Sequence, residues 1–207
     1  MNEHVELTHR WHTQFAGRSP TLAKHWLLMT LNTSTEWDTR AGNYDELAFY
    51  LASGLLTIEE WSAKVEMNST TWPLEGGEGE RHRFAKEALA EWIGRVLIGK
   101  PEREPHRYNG RIDIYCPVNG IVAECGSVSP TRVLDMIMDD AARRVFIVPF
   151  WKQFHDCFEG RENRMPILEW RLVGEWQAVR ANREEDSFER LRKGLECLDE
   201  QTAEPFV

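Results

Sequence analysis

The spacing of apolar residues predicts helices in the first part of the chain. In "SPTLAKHWLLMTL", Ser19 is placed to cap a helix whose first residue is Pro20. A second predicted helix, "NYDELAFYLASG", ends at Gly54. Thr57 and Glu60 in "TIEEW" have the spacing of a capping box, which predicts the start of a third helix. We therefore expect a helical N-terminal region.

The clearest amphipathic helix is "RHRFAKEALAEWIGRVL", which Gly99 and Pro101 close. Its apolar positions share one face: Phe84, Ala85, Ala88, Leu89, Trp92, Ile93, Val96 and Leu97. A β-hairpin is predicted next, with "RIDIYC" and "IVAECG" on either side of the turn "PVNG". Alternation along the first strand places Ile112, Ile114 and Cys116 on the same face of the sheet.

The pattern after the hairpin predicts a helix and then a buried strand. Ser129 caps the helix "SPTRVLDMIMDDAARR", and the uninterrupted apolar run "VFIVPF" predicts a strand parallel to its neighbour. A strand pair, "ILEWRLVGEWQAVR", and a helix, "DSFERLRKGLECLDEQ", are expected near the end. Residues 68–80 are rich in Gly, Ser and Thr and are the best linker candidate. We expect an α/β fold with a mixed central sheet flanked by helices, divided into a helical region (1–75) and an α/β domain (76–207).

Two acidic residues, Asp113 and Glu124, interrupt the otherwise apolar hairpin strands. A loop at Val118 and Asn119 places the acids directly opposite each other, whereas a loop at Asn119 and Gly120 places them diagonally. Both registers leave the carboxylates on one face, close enough to share an ion; a three-residue loop would separate them unless a bulge restores the register. Like charges repel, so a hard cation such as Mg²⁺ is a natural compensator. The alternative is a solvent-facing acid pair that nearby arginines offset.

Composition narrows the classes of function. The chain has 207 residues, of which 42% are hydrophobic, so it can form a core and extensive disorder is not expected. Its four cysteines include no CxxC pair, which favours a reducing cytosol and argues against a zinc site. The N-terminus lacks an apolar signal region, and no apolar run is long enough to cross a bilayer. We expect a soluble cytoplasmic protein without a membrane partner.

The net charge of −9 argues against a nucleic-acid coat protein, but the charge is unevenly distributed. Residues 33–80 are strongly acidic, whereas residues 81–111 are basic and lead directly into the hairpin. The basic side chains that we consider for nucleic-acid binding are Arg81, Arg83, Lys100, Arg103, Arg107 and Arg111. Ordinary solvated charge is the alternative interpretation of this distribution.

An amphipathic helix, a hairpin with Asp and then Glu, a crossover helix and a buried strand follow one another over about residues 80–150. This succession resembles the core of the PD-(D/E)xK nuclease superfamily, which has the restriction-endonuclease-like fold. The resemblance implies that Asp113 and Glu124 are the metal-binding acids. Two positions depart from the family pattern: Ile112 stands in place of Pro, and Gly126 stands in place of a lysine. In the family, that lysine helps to orient the attacking water and stabilises the charged transition state.

The resemblance implies further catalytic residues. Some members of the family move the lysine's positive charge to a nearby element. Here Arg132, in the first turn of the following helix, or Lys152, after the buried strand, would supply it. The family often takes another acid from the helix before the hairpin, and we prefer Glu91 because it lies nearer the apolar stripe than Glu87 does.

By this resemblance, the chain is expected to be a metal-dependent nuclease that acts on DNA with Mg²⁺ or Mn²⁺. Its basic residues would hold the phosphate backbone. The loss of the lysine leaves a second interpretation, a catalytically inactive nuclease-like module that binds a protein or a nucleic acid. An enzyme of another class that uses the same carboxylates and metal is a third. The acidic helical region is the candidate surface for a protein partner or for homodimer contacts.

Overall fold

The computed structural model of the protein describes the larger part of the chain. The described ranges are residues 11–13, 15–31, 41–65, 79–97, 100–103, 105–107, 110–139 and 141–173. Within them the helices are α1 (Pro20–Leu31), α2 (Ala41–Ala52), α3 (Glu80–Val96), α4 (Pro130–Met138) and α5 (Lys152–Phe158). The strands are β1 (Trp11–Thr13), β2 (Leu56–Lys64), β3 (Glu102–Arg103), β4 (His106–Arg107), β5 (Gly110–Arg111), β6 (Ile114–Cys116), β7 (Ile121–Cys125), β8 (Arg144–Val148) and β9 (Arg164–Leu172).

The described strands form a mixed sheet in the order β1-β2-β9-β8-β7-β6-β3, with β4 and β5 as a separate two-stranded ribbon. The β7–β8 pair is parallel, and the other pairs of the sheet are antiparallel. The expected α/β class with a mixed central sheet is therefore confirmed. The parallel partner predicted for the apolar run at residues 145–150 is β7, and α4 is the crossover between these two strands.

Helices pack on both faces of the sheet and enclose two hydrophobic cores. The first core combines side chains of α1, α2 and α4 with one face of the strands, and the second combines side chains of α3 and α5 with the other face. Strand β8 contributes to both, because Val145 and Ile147 enter the first core while Phe146 and Val148 enter the second. Burial on both faces explains why this strand is uniformly apolar rather than alternating.

The N-terminal helices predicted at residues 20–31 and 43–54 are present as α1 (Pro20–Leu31) and α2 (Ala41–Ala52), but the third predicted helix is wrong. The segment that contains Thr57 and Glu60 is the nine-residue strand β2. It pairs with β9 along its whole length, from Leu56 opposite Leu172 to Lys64 opposite Arg164. Long-range pairing therefore outweighs a local capping signal. Because β1 and β2 belong to the same sheet as β6–β9, the N-terminal region is not purely helical.

The remaining predictions have mixed outcomes. The predicted helices at residues 81–97 and 130–144 are present as α3 and the shorter α4, whereas α5 was not predicted. The predicted strand pair near the end is represented by β9, and its second half lies outside the described residues. Most of the predicted linker at residues 68–80 also lies outside the described residues. The predicted last helix lies entirely outside them.

A buried carboxylate joins three strands of the sheet. Glu169 of β9 is fully buried and accepts hydrogen bonds from Trp61 Nε1 of β2 (2.8 Å) and from Arg144 Nε of β8 (2.6 Å). Arg171 Nε donates to the same carboxylate at 2.5 Å. Burial alone would raise the pKa of Glu169, but the hydrogen bonds and charges of the two arginines hold it below its usual value. This network therefore ties β2 to the C-terminal strands of the sheet.

Candidate functional site

The register of the β6–β7 hairpin brings the two predicted acids together. Ile114 pairs with Ala123 and Cys116 pairs with Ile121, and Gly120 N donates to Pro117 O at 3.4 Å across the turn. The loop is therefore Val118 and Asn119, the first of the two registers considered from the sequence. Counting one position outward from the Ile114–Ala123 pair places Asp113 opposite Glu124.

Asp113 lies at a bend of the chain between β5 and β6 rather than inside a strand. This bend corrects one expectation: Ile112 packs in the first core, whereas Ile114 packs in the second, so they do not share a face. The Asp113 carboxylate is buried, and its Oδ2 accepts hydrogen bonds from Cys125 N (2.8 Å) and from His82 Nε2 (2.9 Å). Asp113 is therefore held by a strand on one side and by helix α3 on the other.

Glu124 is held by Arg132, the cation that sequence reasoning proposed near it. Arg132 Nε donates to Glu124 Oε1 at 2.8 Å, and another nitrogen of the guanidinium donates to the backbone carbonyl of Arg111. Arg132 stands in the first turn of α4 because Ser129 caps this helix, its Oγ accepting from Arg132 N at 3.2 Å. The crossover helix thus delivers one positive charge to the end of β7.

The carboxylates of Asp113 and Glu124 repel each other, and the positive charge of Arg132 offsets this repulsion only in part. Burial, and then the neighbouring charge of Asp113, raise the pKa of Glu124 from its usual 4.5 to about 7, although Arg132 acts in the opposite direction. A hydrogen bond between the two carboxyl groups contributes to the rise. At neutral pH the site therefore takes up a proton readily, and a cation placed between the carboxylates would relieve the same repulsion.

Gly126 occupies the position of the family's lysine for a local structural reason. Its backbone has a φ of +88°, a conformation that glycine adopts far more readily than other residues. A Cβ added there would lie only 3.1 Å from the Phe150 ring. The aromatic ring thus occupies the space into which a side chain from this position would extend.

The other predicted catalytic residues are not brought to the acid pair. Glu91 is 61% exposed and forms an ion pair with Arg95 in the next turn of α3. It also lies nine residues beyond His82, or about 13 Å along the helix at 1.5 Å per residue. Lys152 is 90% exposed, and its ammonium group pairs with Asp156 in α5. Of the predicted catalytic set, the structure therefore assembles Asp113, Glu124 and Arg132.

The predicted nucleic-acid-binding residues fall into different environments. Arg81, Lys100 and Arg111 are exposed, and the guanidinium of Arg81 lies over the Phe158 ring. Arg83 is half-buried. Arg103 forms a bidentate ion pair with Glu87, with both N–O distances at 2.5 Å. The side chain of Arg107 lies outside the described residues.

His82 is the functional candidate that sequence reasoning missed. It lies in the first turn of α3, two residues before the apolar stripe begins, and helical periodicity gives such a position no special meaning. The contact with Asp113 depends on how α3 crosses the end of the hairpin, which is a tertiary property. The sequence signal was limited to a histidine near the start of the helix that precedes the acids.

The donor set of this site fits a magnesium ion better than a metal that needs many protein ligands. Among the described residues, no three His, Cys, Asp or Glu side chains are arranged to enclose a metal ion. Mg²⁺ commonly keeps several waters and uses only one or two carboxylates. A Mg²⁺ ion held by the Asp113 and Glu124 carboxylates would replace the hydrogen bond between them and keep waters at its other positions.

Comparison with known proteins does not assign a family: no family model, no curated protein and no solved structure matches the chain. In the part of the chain that the structure describes, no helix is both long enough and apolar enough to span a membrane. A functional assignment must therefore be argued from the geometry of the site.

Proposed function

We propose that the protein is a metal-dependent nuclease with a PD-(D/E)xK-like core, and that it hydrolyses phosphodiester bonds in DNA. The observation that carries this proposal is the closeness of the buried Asp113 carboxylate to that of Glu124 on β7, which Arg132 contacts. The elements around the pair support it, because α3, the β6–β7 hairpin, α4 and β8 follow in the order on which the resemblance rests.

In this proposal, Asp113 and Glu124 hold Mg²⁺ or Mn²⁺. When bound, the ion would activate a water molecule and neutralise negative charge that develops on the phosphodiester. Hydrolysis forms a bond between the water oxygen and phosphorus and breaks one P–O ester bond; the attacking water gives up a proton to solvent, and the leaving oxygen takes up a proton from solvent. The carboxylates position the reacting groups, and their burial keeps the surroundings at low dielectric, which strengthens electrostatic interactions there.

Arg132 supplies the positive charge that the family takes from its lysine. Its guanidinium remains protonated at all relevant pH values, so it can donate hydrogen bonds to phosphate oxygens but cannot accept a proton from water. Its side chain is 17% exposed, which leaves it accessible to a substrate at the rim of the site. Its role is therefore charge stabilisation, and a general-base role is excluded for this residue.

The exposed basic residues Arg81, Lys100 and Arg111 are the best candidates for holding the DNA backbone. Each phosphate that a protein neutralises adds roughly one to the slope of log affinity against log salt. We therefore expect the affinity for DNA to fall steeply as the salt concentration rises from about 50 to 200 mM. The loss of the contacts made by about three basic residues should reduce this slope by a measurable amount.

The test is cleavage of DNA and RNA in Mg²⁺ and in Mn²⁺ by the wild-type protein and by matched variants. Asp113→Ala and Glu124→Ala should abolish cleavage while the far-ultraviolet circular dichroism spectrum persists. Arg132→Ala should reduce kcat by roughly 10²-fold, the usual cost of one stabilising donor. Glu91→Ala and Lys152→Ala remove a carboxylate and an ammonium group outside the site and should retain full activity.

A second function is favoured by one observation, the closed lysine position. A nuclease-like module that binds a partner without cleaving it needs no lysine, and a side chain at position 126 would be strained by the positive φ and crowded by Phe150. In that case neither metal supports cleavage, and Asp113→Ala binds nucleic acid as tightly as the wild-type protein does. Metal-dependent cleavage that is lost in Asp113→Ala would rule this module out.

A further inference from the structure

His82 links helix α3 to the acid pair through a hydrogen bond. His82 Nε2 lies 2.9 Å from Asp113 Oδ2, and in the tautomer that carries its proton on Nε2 the ring donates to the carboxylate. Cys125 N donates to the same oxygen at 2.8 Å. Because both donors meet Oδ2, they fix the rotation of the carboxylate and therefore the direction of its second oxygen.

The backbone by itself does not fix the orientation of Asp113. The residue lies at the bend between β5 and β6, where the chain crosses from one core to the other at Ile112 and Ile114. Side-chain torsions at such a bend are set by their hydrogen-bonding partners. Cys125 contributes a backbone N–H and Glu124 a carboxyl group of the same hairpin, so His82 is the contact that reaches Asp113 from helix α3.

The imidazole ring of His82 is itself positioned by aromatic contacts. Its centroid lies 6.4 Å from that of Phe150 with an interplanar angle of 71°, and Phe150 stacks on Phe154 at 4.2 Å and 11°. Phe150 is also the ring that occupies the space beside Gly126. The ring that closes the lysine position therefore also supports the histidine that holds the first acid.

We propose that His82 is a positioning residue of the nuclease site. It donates from Nε2 to Asp113 and thereby orients this carboxylate toward the metal that Asp113 and Glu124 share. The inference rests on the proposed function, but it concerns a residue to which the resemblance gives no role.

The experiment compares His82→Phe, which keeps an aromatic ring without the donor, with His82→Gln, whose side-chain amide nitrogen can replace Nε2. His82→Phe should weaken Mn²⁺ binding, measured by electron paramagnetic resonance, by roughly 10- to 100-fold, as is usual when a partner that orients a ligand is removed. Its kcat should fall by a similar factor at a fixed Mn²⁺ concentration, while KM for DNA stays constant. His82→Gln should restore most of both.

The matched control is His25→Phe, which makes the same change at an exposed position of α1, and it should alter neither measurement. Unchanged Mn²⁺ binding and kcat in His82→Phe would overturn the inference, as would equal losses in His82→Phe and His82→Gln. If the wild-type protein does not cleave nucleic acid, the proposed function fails separately. Crystal structures then decide the role of His82, because an Asp113 side chain that keeps its orientation in His82→Phe refutes it.

Discussion

At the residue scale, Glu124 carries the largest electrostatic cost of the candidate site. Its side chain is 12% exposed, and the main causes of its raised pKa are burial and the charge of Asp113. A carboxyl group whose pKa is higher in the folded protein favours folding while it is protonated. That contribution is fully present below the unfolded pKa and is lost as the pH rises through the folded pKa.

The first prediction follows from this sign. Between pH 4.5 and about 7, ionisation of Glu124 should lower the free energy of unfolding of the wild-type protein relative to that of Glu124→Gln. At 1.36 kcal/mol per pKa unit, the relative change is roughly 3 kcal/mol. Urea unfolding in a chelating buffer across this pH range measures it. Glu91→Gln, which changes an exposed acid of α3, should leave the pH profile unaltered; parallel profiles for wild type and Glu124→Gln would refute the prediction.

At the element scale, the sequence predicted the parts of the site that local patterns determine. The amphipathic stripe of α3, the cap of α4, the apolar run of β8 and the turn of the hairpin all have short-range signals, and each is present. For the hairpin register, the sequence left two two-residue loops and a three-residue loop open, and the loop at Val118 and Asn119 is the one observed. Strand β2 was missed because its pairing with β9 joins segments about a hundred residues apart, and no local pattern reports such a contact.

The predicted catalytic residues show the same difference between local patterns and long-range contacts. Asp113 and Glu124 lie close together because of the hairpin register, and Arg132 is near Glu124 because a short connection joins β7 to α4. The preference for Glu91 failed to place an acid at the site, because nearness to the apolar stripe does not specify where along α3 the hairpin crosses. That crossing lies at the N-terminal turn, and the helix contributes His82 instead.

The second prediction concerns the cap that orients Arg132. Ser129 Oγ accepts from Arg132 N in α4, and Ser19 Oγ accepts from Thr21 N in α1, both at 3.2 Å. Ser129→Ala and Ser19→Ala should each lower the free energy of unfolding by about 1 kcal/mol. Cleavage activity at a temperature where both variants are folded should fall only in Ser129→Ala. Equal activity in the two variants would show that the cap does not serve the site.

At the scale of the whole molecule, the sheet unites segments that the sequence divided at residue 75. Strand β2 lies beside β9, and Glu169 connects Trp61 of the first segment with Arg144 and Arg171 of the second. Glu124 is on β7 and Asp113 precedes β6, so both acids lie on the other side of β8 from β9. Strand β2 therefore stabilises the same sheet that positions the candidate site.

The third prediction tests this support. Glu169→Gln leaves two arginines without their buried counter-charge and should lower the free energy of unfolding by about 3 kcal/mol near neutral pH. Because the pKa of Glu169 is lowered in the folded protein, the difference from wild type should be full above the usual value of 4.5 and shrink as the pH falls through the lowered pKa. Denaturant unfolding at several pH values measures it. Glu102→Gln, an exposed strand carboxylate, is the control, and a similarly small effect in both would contradict the prediction.

The contact between Gly126 and Phe150 also determines how readily a lysine could be introduced at position 126. A lysine introduced at position 126 meets both an unfavourable backbone conformation and an aromatic ring, so this substitution alone should destabilise the folded protein. Truncating Phe150 would make space for the side chain but would also remove an aromatic contact of His82. A lysine at this position would therefore need compensating changes at more than one residue.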